Sequence, residues 1–189
     1  MLFRSGYQKI FTEFWPRYTK LIAKSKGGVQ VRARLAALSV AQMGQKPELA
    51  SKVIGDLLRE NKDLPEVAAL AMELRYRQLS ARGGSEVKKS LIELGKSKNA
   101  TVRAAALFAL ADVTKDTDAK RAVPLYREVI AKYPSTSYAK SAQGSIFEAE
   151  HLQVGMVAPE IEGADHEDKA FRLSEYRGKV VVLDFWGFW

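Results

Sequence analysis

Residues Phe171–Trp189 read FRLSEYRGKVVVLDFWGFW, and they pass from a short alternating segment into an almost continuous apolar run. The run Val180–Trp186 begins with three β-branched residues, which is typical of a strand covered on both faces. Asp184 interrupts it, and a buried ionised carboxylate is costly unless it is paired or used chemically. Because such a strand needs neighbours that no residue after Trp189 supplies, we expect these 189 residues to be a fragment of a longer protein. In the fragment alone, Val180–Trp186 is expected to be exposed, with open edges that favour mobility or self-association.

The composition limits the class of protein. The chain is 47% apolar and 28% charged, as is ordinary for a globular protein, and it contains no cysteine. Disulfides and thiolate chemistry are therefore excluded within these residues. No apolar run approaches the ~20 residues that cross a bilayer, so we predict no transmembrane segment. The start of the chain, MLFRSGYQKIFTEFW, lacks the pattern of a signal peptide.

Charge is shared unevenly along the chain. Residues 1–150 carry 26 Lys and Arg against 15 Asp and Glu, whereas residues 151–189 carry 4 against 7. This shift predicts two domains, residues 1–150 and 151–189. The basic part could steer acidic partners. Its cations are interleaved with acids along the predicted helices, however, so we favour a solvated surface and predict no nucleic-acid partner.

The first predicted helix, residues 7–24, is aromatic and basic. A helix of this kind could lie on a membrane surface, but internal repetition favours a helix packed in an array. The segment Trp15–Lys24, WPRYTKLIAK, is similar to Val123–Lys132, VPLYREVIAK, at an offset of 108 residues, which is three times 36. A weaker copy relates Val31–Ala33 to Val102–Ala104.

Helix breakers divide residues 1–150 into segments of roughly 12 to 16 residues. They fall at Gly27-Gly28, Gly44–Pro47, Asn61–Pro65, Gly83-Gly84, Ser97–Asn99, Asp116–Asp118 and Pro134-Ser135. Two helices in each ~36 residues are the signature of an α-solenoid. The last unit, Ala122–Glu150, resembles a tetratricopeptide repeat (TPR), although the starts of the type Val-Arg-Ala also fit HEAT-like repeats. We predict a TPR-like array whose surface docks a partner protein or acts as a spacer.

Residues 1–189 hold no familiar catalytic or ligand-binding motif. His151 and His166 lie away from other metal-ligand residue types, so we predict that both are surface side chains. There is no glycine-rich phosphate loop, no Ser/His/Asp arrangement and no zinc pattern. We predict no cofactor and no metal site.

The C-terminal segment, LQVGMVAPEIEGADHEDKAFRLSEYRGKVVVLDFWGFW, resembles the start of the redoxin domain of TlpA/ResA-like thiol–disulfide oxidoreductases, a branch of the thioredoxin superfamily. The matching pieces, in order, are Gly155-x-x-Ala158-Pro159, an acidic turn, Phe171-x-Leu173-Ser174-x-Tyr176-Arg177-Gly178-Lys179, and a strand ending Asp184-Phe185-Trp186-Gly187-x-Trp189. One departure is Asp168, where the family often has the glycine of an Asp-Gly turn. The fold class implied for the chain is mainly α, a TPR-like α-solenoid of helical hairpins followed by the first strands of a truncated thioredoxin-like α/β domain.

The resemblance also implies a chemistry. In the family a Cys-x-x-Cys motif begins directly after the second tryptophan, which here is Trp189. Asp184 matches the acid that moves a proton for the second thiol, and burial should raise the pKa of such a carboxyl. Trp186 and Trp189 match the tryptophans that flank the active site. The implied substrates are protein disulfides and dithiols, the implied role is cell redox homeostasis, and the implied location is extracytoplasmic.

Two other functions remain open. One is a TPR-like protein-interaction scaffold whose redoxin domain never carried cysteines. The other is a peroxiredoxin-type peroxide reductase, which shares the Gly-x-x-Ala-Pro opening but usually has a Pro/Thr-bearing loop after its strand. The chain as given should be inert as a redox enzyme, because it has no thiol.

Overall fold

The structure, a computed structural model, describes residues 2–79, 84–115 and 117–187. The described residues are mainly helical, which confirms the predicted mainly α fold class. They include eight α-helices: α1 (Leu2–Lys24), α2 (Gly27–Met43), α3 (Pro47–Glu60), α4 (Ala68–Leu79), α5 (Gly84–Leu94), α6 (Ala100–Lys115), α7 (Ala119–Lys132) and α8 (Ser137–His151). The chain divides into two compact units, Met1–Ile146 and Phe147–Trp189. The predicted domain boundary after Glu150 stays a prediction.

Local signals account for the helix ends. Helix α2 ends at Met43 just before Gly44, and α3 begins with Pro47 in its first turn, where a missing N–H costs nothing. Helix α7 ends two residues before Pro134. At its start, the Asp118 carboxylate accepts a hydrogen bond from the Arg121 N–H at 3.2 Å.

One predicted break has a different form. The pair Gly27-Gly28 lies in the first turn of α2 instead of between helices, and Gly27 takes a φ of 58°, which glycine adopts without strain. The predicted breaks at Gly83 and Asp116 lie outside the described residues.

Most of the apolar core of the first unit is shared by helices α2 to α6. Its largest fully buried side chains are Val31, Leu38, Leu57, Val67, Leu70, Leu74, Val87, Leu91, Leu94, Val102 and Val113. Burying each leucine contributes about 1.5–3 kcal/mol of hydrophobic stabilisation. Fully buried alanines such as Ala37 and Ala105 let the helix backbones approach closely.

Helices that are close in sequence pack against each other in the first unit. Contacts join α1 to α2, α2 to α3, α4 to α5, α5 to α6 and α6 to α7, and α4 also contacts α6. This packing confirms that α1 is a packed helix. The class of repeat, TPR-like or HEAT-like, stays a prediction.

A buried polar group anchors the second core cluster, where α6, α7 and α8 meet. The Tyr126 hydroxyl is fully buried and donates a hydrogen bond to the Asp112 carboxylate. Burial, and then this hydrogen bond, raise the pKa of Tyr126, so that the phenol stays protonated. Arg75 Nε lies 2.5 Å from Asp112 Oδ2 and balances the carboxylate charge. The buried acid therefore has a hydrogen-bond donor at one oxygen and a cation beside the other.

The second unit is built on one antiparallel hairpin. Strand β1 (Glu162–Ala164) pairs with β2 (Ala170–Arg172), and Gly163 lies opposite Phe171. The Arg172 guanidinium Nε lies 3.1 Å from the Glu162 carboxylate across the pair. A 3₁₀ helix, Leu173–Tyr176, follows β2 directly.

The predicted strand Val180–Trp186 is not formed. These residues have no regular secondary structure, and they are exposed, as we expected for the chain alone. Their side chains alternate at first: Val180 and Val182 are 98% and 87% exposed, whereas Val181 is 41% exposed. A strand forms only when its backbone N–H and C=O groups pair with a neighbour. Within the described residues, the β1–β2 hairpin is the only sheet, and it is paired within itself.

Candidate functional site

The redoxin-like motifs lie in the second unit, and a carboxylate organises the hairpin loop between its strands. The Asp165 side chain accepts hydrogen bonds from the N–H groups of Glu167, at 2.9 Å, and Lys169, at 3.0 Å. The Asp165 N–H donates to the Lys169 carbonyl at 2.9 Å, and the Asp168 N–H donates to the Asp165 carbonyl at 3.1 Å. A turn followed by a left-handed residue is typical of three-residue hairpin loops. Asp168 fills that position with a φ of 61°.

The aspartate at position 168 is therefore compatible with the turn. Asp168 takes the left-handed conformation that glycine adopts at no cost, and aspartate is among the few other residues that tolerate it. The role of Asp165 was missed at the level of sequence. The signal was present, because an acid at the start of a tight turn commonly caps backbone N–H groups two to four residues ahead.

A second acid joins two of the motif pieces. Glu160, which follows Ala158-Pro159, accepts a hydrogen bond from the Ser174 N–H at 2.9 Å and one from the Ile161 N–H at 3.2 Å. Hydrogen bonding from the Ser174 side chain, then from its backbone, lowers the pKa of Glu160. The Leu173 N–H also donates to the Ile161 carbonyl at 2.9 Å. These bonds fix the start of the 3₁₀ helix against the segment that precedes β1.

An apolar cleft lies beside the hairpin in the same unit. It encloses about 270 Å³ and is lined by Ile161, Asp165, Phe171, Leu173, Tyr176, Val181 and Leu183. The Phe171 ring packs over Gly163, because a Cβ atom at Gly163 would lie only 3.2 Å from it. Such a cleft can hold an apolar side chain, but its walls present few groups able to carry out chemistry.

The predicted site residues have different outcomes. Asp184 is exposed, and the burial of its carboxyl between Leu183 and Phe185 stays a prediction for a complete domain. Burial needs a covering layer, and Phe185 itself is 85% exposed. Trp186 is 73% exposed. Trp189 lies outside the described residues.

His151 and His166 are both exposed, as predicted, and His166 Nε2 lies 3.8 Å from the Glu167 carboxylate. No cluster of three potential metal ligands occurs in the described part of the chain. No helix among those residues is both long and apolar enough to cross a membrane.

The helical unit carries a separate surface cavity of about 850 Å³. It lies at the turn between α2 and α3 and beside α4, and its walls are Gln42, Gln45, Lys46, Pro47, Ala50, Glu73, Tyr76 and Arg77. Tyr76 is 70% exposed there. The cavity combines an aromatic ring with charged and amide groups, a mixture suited to a peptide or a protein loop.

Local matches relate part of the chain to one class of enzyme, the thiol–disulfide oxidoreductases. The protein named thiol-disulfide oxidoreductase ResA of Geobacillus thermodenitrificans is 47% identical over 38 residues, or 20% of this chain and 22% of the relative. Its namesake from Bacillus anthracis is 40% identical over 47 residues, or 25% of this chain and 27% of the relative. The chain thus spans about a quarter of the length of these curated relatives. No family model and no solved structure matches it.

Proposed function

We propose that the protein to which these residues belong is a thiol–disulfide oxidoreductase of the redoxin type. In this proposal residues 151–189 open a thioredoxin-like domain, and residues 1–150 form a TPR-like array that docks a partner or spaces the catalytic domain. The observation that carries the proposal is the local similarity to the ResA proteins.

The hairpin is in keeping with this assignment. An acidic turn between two short strands, followed at once by the Leu173–Tyr176 turn, is the order of motifs by which the segment resembles a redoxin. The bonds of Glu160 to Ser174 connect the Ala-Pro opening to that turn. The run after Lys179 is apolar and exposed, and the cleft beside it is apolar and open. In this proposal they are a strand and part of a core that other elements of the domain would cover.

The proposed chemistry lies in a Cys-x-x-Cys motif directly after Trp189. The first cysteine, as thiolate, would attack a substrate disulfide, form a mixed disulfide and displace the other substrate sulfur as a thiolate, which then takes a proton from water. The second thiolate would then attack the first cysteine's sulfur, which releases the reduced substrate and leaves a disulfide in the enzyme. Asp184 would accept the proton of the second thiol once covering strands had buried it. Trp186 and Trp189 would flank the motif. An extracytoplasmic location follows from the resemblance and belongs to the proposal.

The natural reading frame and a disulfide-reduction assay test this proposal together. We expect the frame to encode Cys-x-x-Cys after Trp189, and its product to reduce a protein disulfide such as that of insulin. Changing the first cysteine to serine should abolish this activity, and Asp184→Asn should slow it and shift its pH profile. The 189-residue chain serves as the inert control, since it has no thiol. A frame without sulfur at that place, or a product without activity, would refute the proposal.

A scaffold function is the second candidate, and the cavity beside Tyr76 favours it. The cavity belongs to the helical unit, so a partner could bind there whether or not the second unit is catalytic. A reading frame without cysteines, together with a partner whose binding is lost on Tyr76→Ala, would establish the scaffold instead.

A further inference from the structure

Helix α1 carries a second apolar stripe in addition to the face that packs against the protein. At 3.6 residues per turn, Tyr7, Phe14, Tyr18 and Leu21 fall within about 60° of arc. Tyr7 and Leu21 are 45% and 44% exposed, and Phe14 and Tyr18 are partly exposed. The Phe14 and Tyr18 rings stack with their centroids 6.3 Å apart. We call these four side chains the α1 stripe.

The neighbouring face of α1 is already used in packing. Trp15 packs against the main core, and Phe11 lies against Gly44 at the end of α2. Gln8 Nε2 donates a hydrogen bond to the Gly44 carbonyl at 3.0 Å. The helix is therefore held in place on one side while the α1 stripe faces outward beside that contact.

Cations line the side of the stripe away from the protein body. Arg17 lies over the Phe14 ring, 5.2 Å from its centroid, and pairs with Glu13 at 3.1 Å. Lys24, Lys20 and Lys9 lie farther round on the polar face opposite the packed one, at about 90°, 130° and 150° from the centre of the stripe. Among the described residues, no carboxylate lies within salt-bridge distance of these three lysines.

We propose that α1 binds an anionic lipid surface through the α1 stripe and these three lysines. Aromatic rings that combine an apolar body with a polar tip suit the boundary between lipid headgroups and acyl chains. Lysines beside such a face gain binding from anionic headgroups. A second copy of the chain fits this face less well, because it would bring the same unpaired lysines together. The helix would lie in the interface while its packed face keeps the helical unit attached.

Vesicle binding by the 189-residue protein tests the proposal. We expect it to sediment with vesicles of equal parts phosphatidylcholine and phosphatidylglycerol, not with phosphatidylcholine alone, and to dissociate as salt is raised. Replacing the three lysines together by glutamate should lower the partition coefficient at least 100-fold, since each lysine near an anionic surface contributes about fivefold. The double variant Tyr7→Ser/Leu21→Ser should lower it at least tenfold. Neither change touches the packed face of α1.

Matched control variants distinguish vesicle binding by this site from nonspecific electrostatic or hydrophobic adsorption. Tyr76→Ser removes an exposed aromatic on α4, and the triple change Lys52→Glu/Lys120→Glu/Lys140→Glu reverses three exposed cations on α3, α7 and α8. Tyr76→Ser should bind vesicles like the wild type, and the lysine control should lose much less binding than the α1 lysine variant. Equal loss in the two lysine variants, or no binding to anionic vesicles at all, would overturn the proposal. So would a dimer in solution that the Tyr7→Ser/Leu21→Ser variant dissociates, since this would assign the stripe to a second copy. Vesicle binding does not depend on cysteines, so its outcome is independent of the redox proposal.

Discussion

Replacing Gly44 with alanine would place a methyl group against the ring of Phe11. A Cβ atom at Gly44 lies 2.7 Å from both Cγ and Cδ2 of that ring. Carbon atoms pack best at about 3.5–4.0 Å, so the ring or the whole of α1 must move by roughly 0.8–1.3 Å. The Gln8 hydrogen bond to the Gly44 carbonyl resists that movement. Gly44 has a φ of −73°, so alanine causes no backbone strain of its own and the effect is purely steric.

The size of the effect follows from two opposing contributions. Inserting a methyl group into a packed contact costs about 1–3 kcal/mol. Losing the flexibility of glycine in the unfolded chain returns about 0.4–1 kcal/mol. We therefore expect Gly44→Ala to lower the free energy of unfolding by about 1.3 kcal/mol, the difference between the midpoints of these two ranges.

Gly55 provides the matched control. It lies inside α3, and a Cβ atom there would meet nothing within 4 Å. Gly55→Ala should therefore raise stability by about 0.5–1 kcal/mol. Urea unfolding of both variants, with hydrogen exchange of the amides in Leu2–Lys24, measures the two effects. If Gly44→Ala proved as stable as Gly55→Ala, or if the amides of α1 exchanged no faster, the packing of Phe11 on Gly44 would be wrong.

Two further predictions concern charge and turn geometry. Hydrogen bonds from Lys62, at 2.7 Å, and Lys96, at 2.8 Å, lower the pKa of Glu93 from 4.5 to about 2. Because the folded-state pKa is depressed, the stabilisation is present above pH 4.5 and is lost as the pH falls towards 2. Between these pH values, the free energy of unfolding measured in urea should therefore depend less on pH in Glu93→Gln than in the wild type. An equal pH dependence in the two proteins would contradict this prediction. Asp168→Gly should stabilise the hairpin by about 0.5–1 kcal/mol, because glycine adopts the left-handed conformation at no cost. Slower hydrogen exchange at the Asp165 amide would support this prediction, and faster exchange would count against it.

Helix positions were predictable from sequence because their signals are local. The break before Pro47 and the end of α7 before Pro134 depend on residues within one turn of the boundary. The polar group Tyr126–Asp112–Arg75 was not predictable. It depends on side chains from three helices that are distant in the sequence, and no pattern in α6 marks Asp112 as buried.

In the candidate site, too, interactions between residues close in sequence were easier to predict than those between distant residues. Asp165 and Asp168 shape their turn through bonds to residues no more than four positions away, so the hairpin can form from its own sequence. Asp184 differs, because its burial depends on strands paired on both sides of Val180–Trp186. The apolar pattern of that run predicts a strand, but pattern alone cannot supply the pairing partner.

This difference bears on how the proposed redox site would assemble. The hairpin, the cleft beside it and the Glu160–Ser174 link are already formed in the second unit. Val181 and Leu183 line that cleft, so one face of the run already has the hairpin as a template. What the run lacks is hydrogen bonding along its edges and cover for Val180 and Val182, which are almost fully exposed. Strands paired with the run would supply both the hydrogen bonds along its edges and the cover for these valines. The same step would take the Asp184 carboxyl out of water. In the proposed enzyme, burial of the acid would therefore accompany formation of the strand itself.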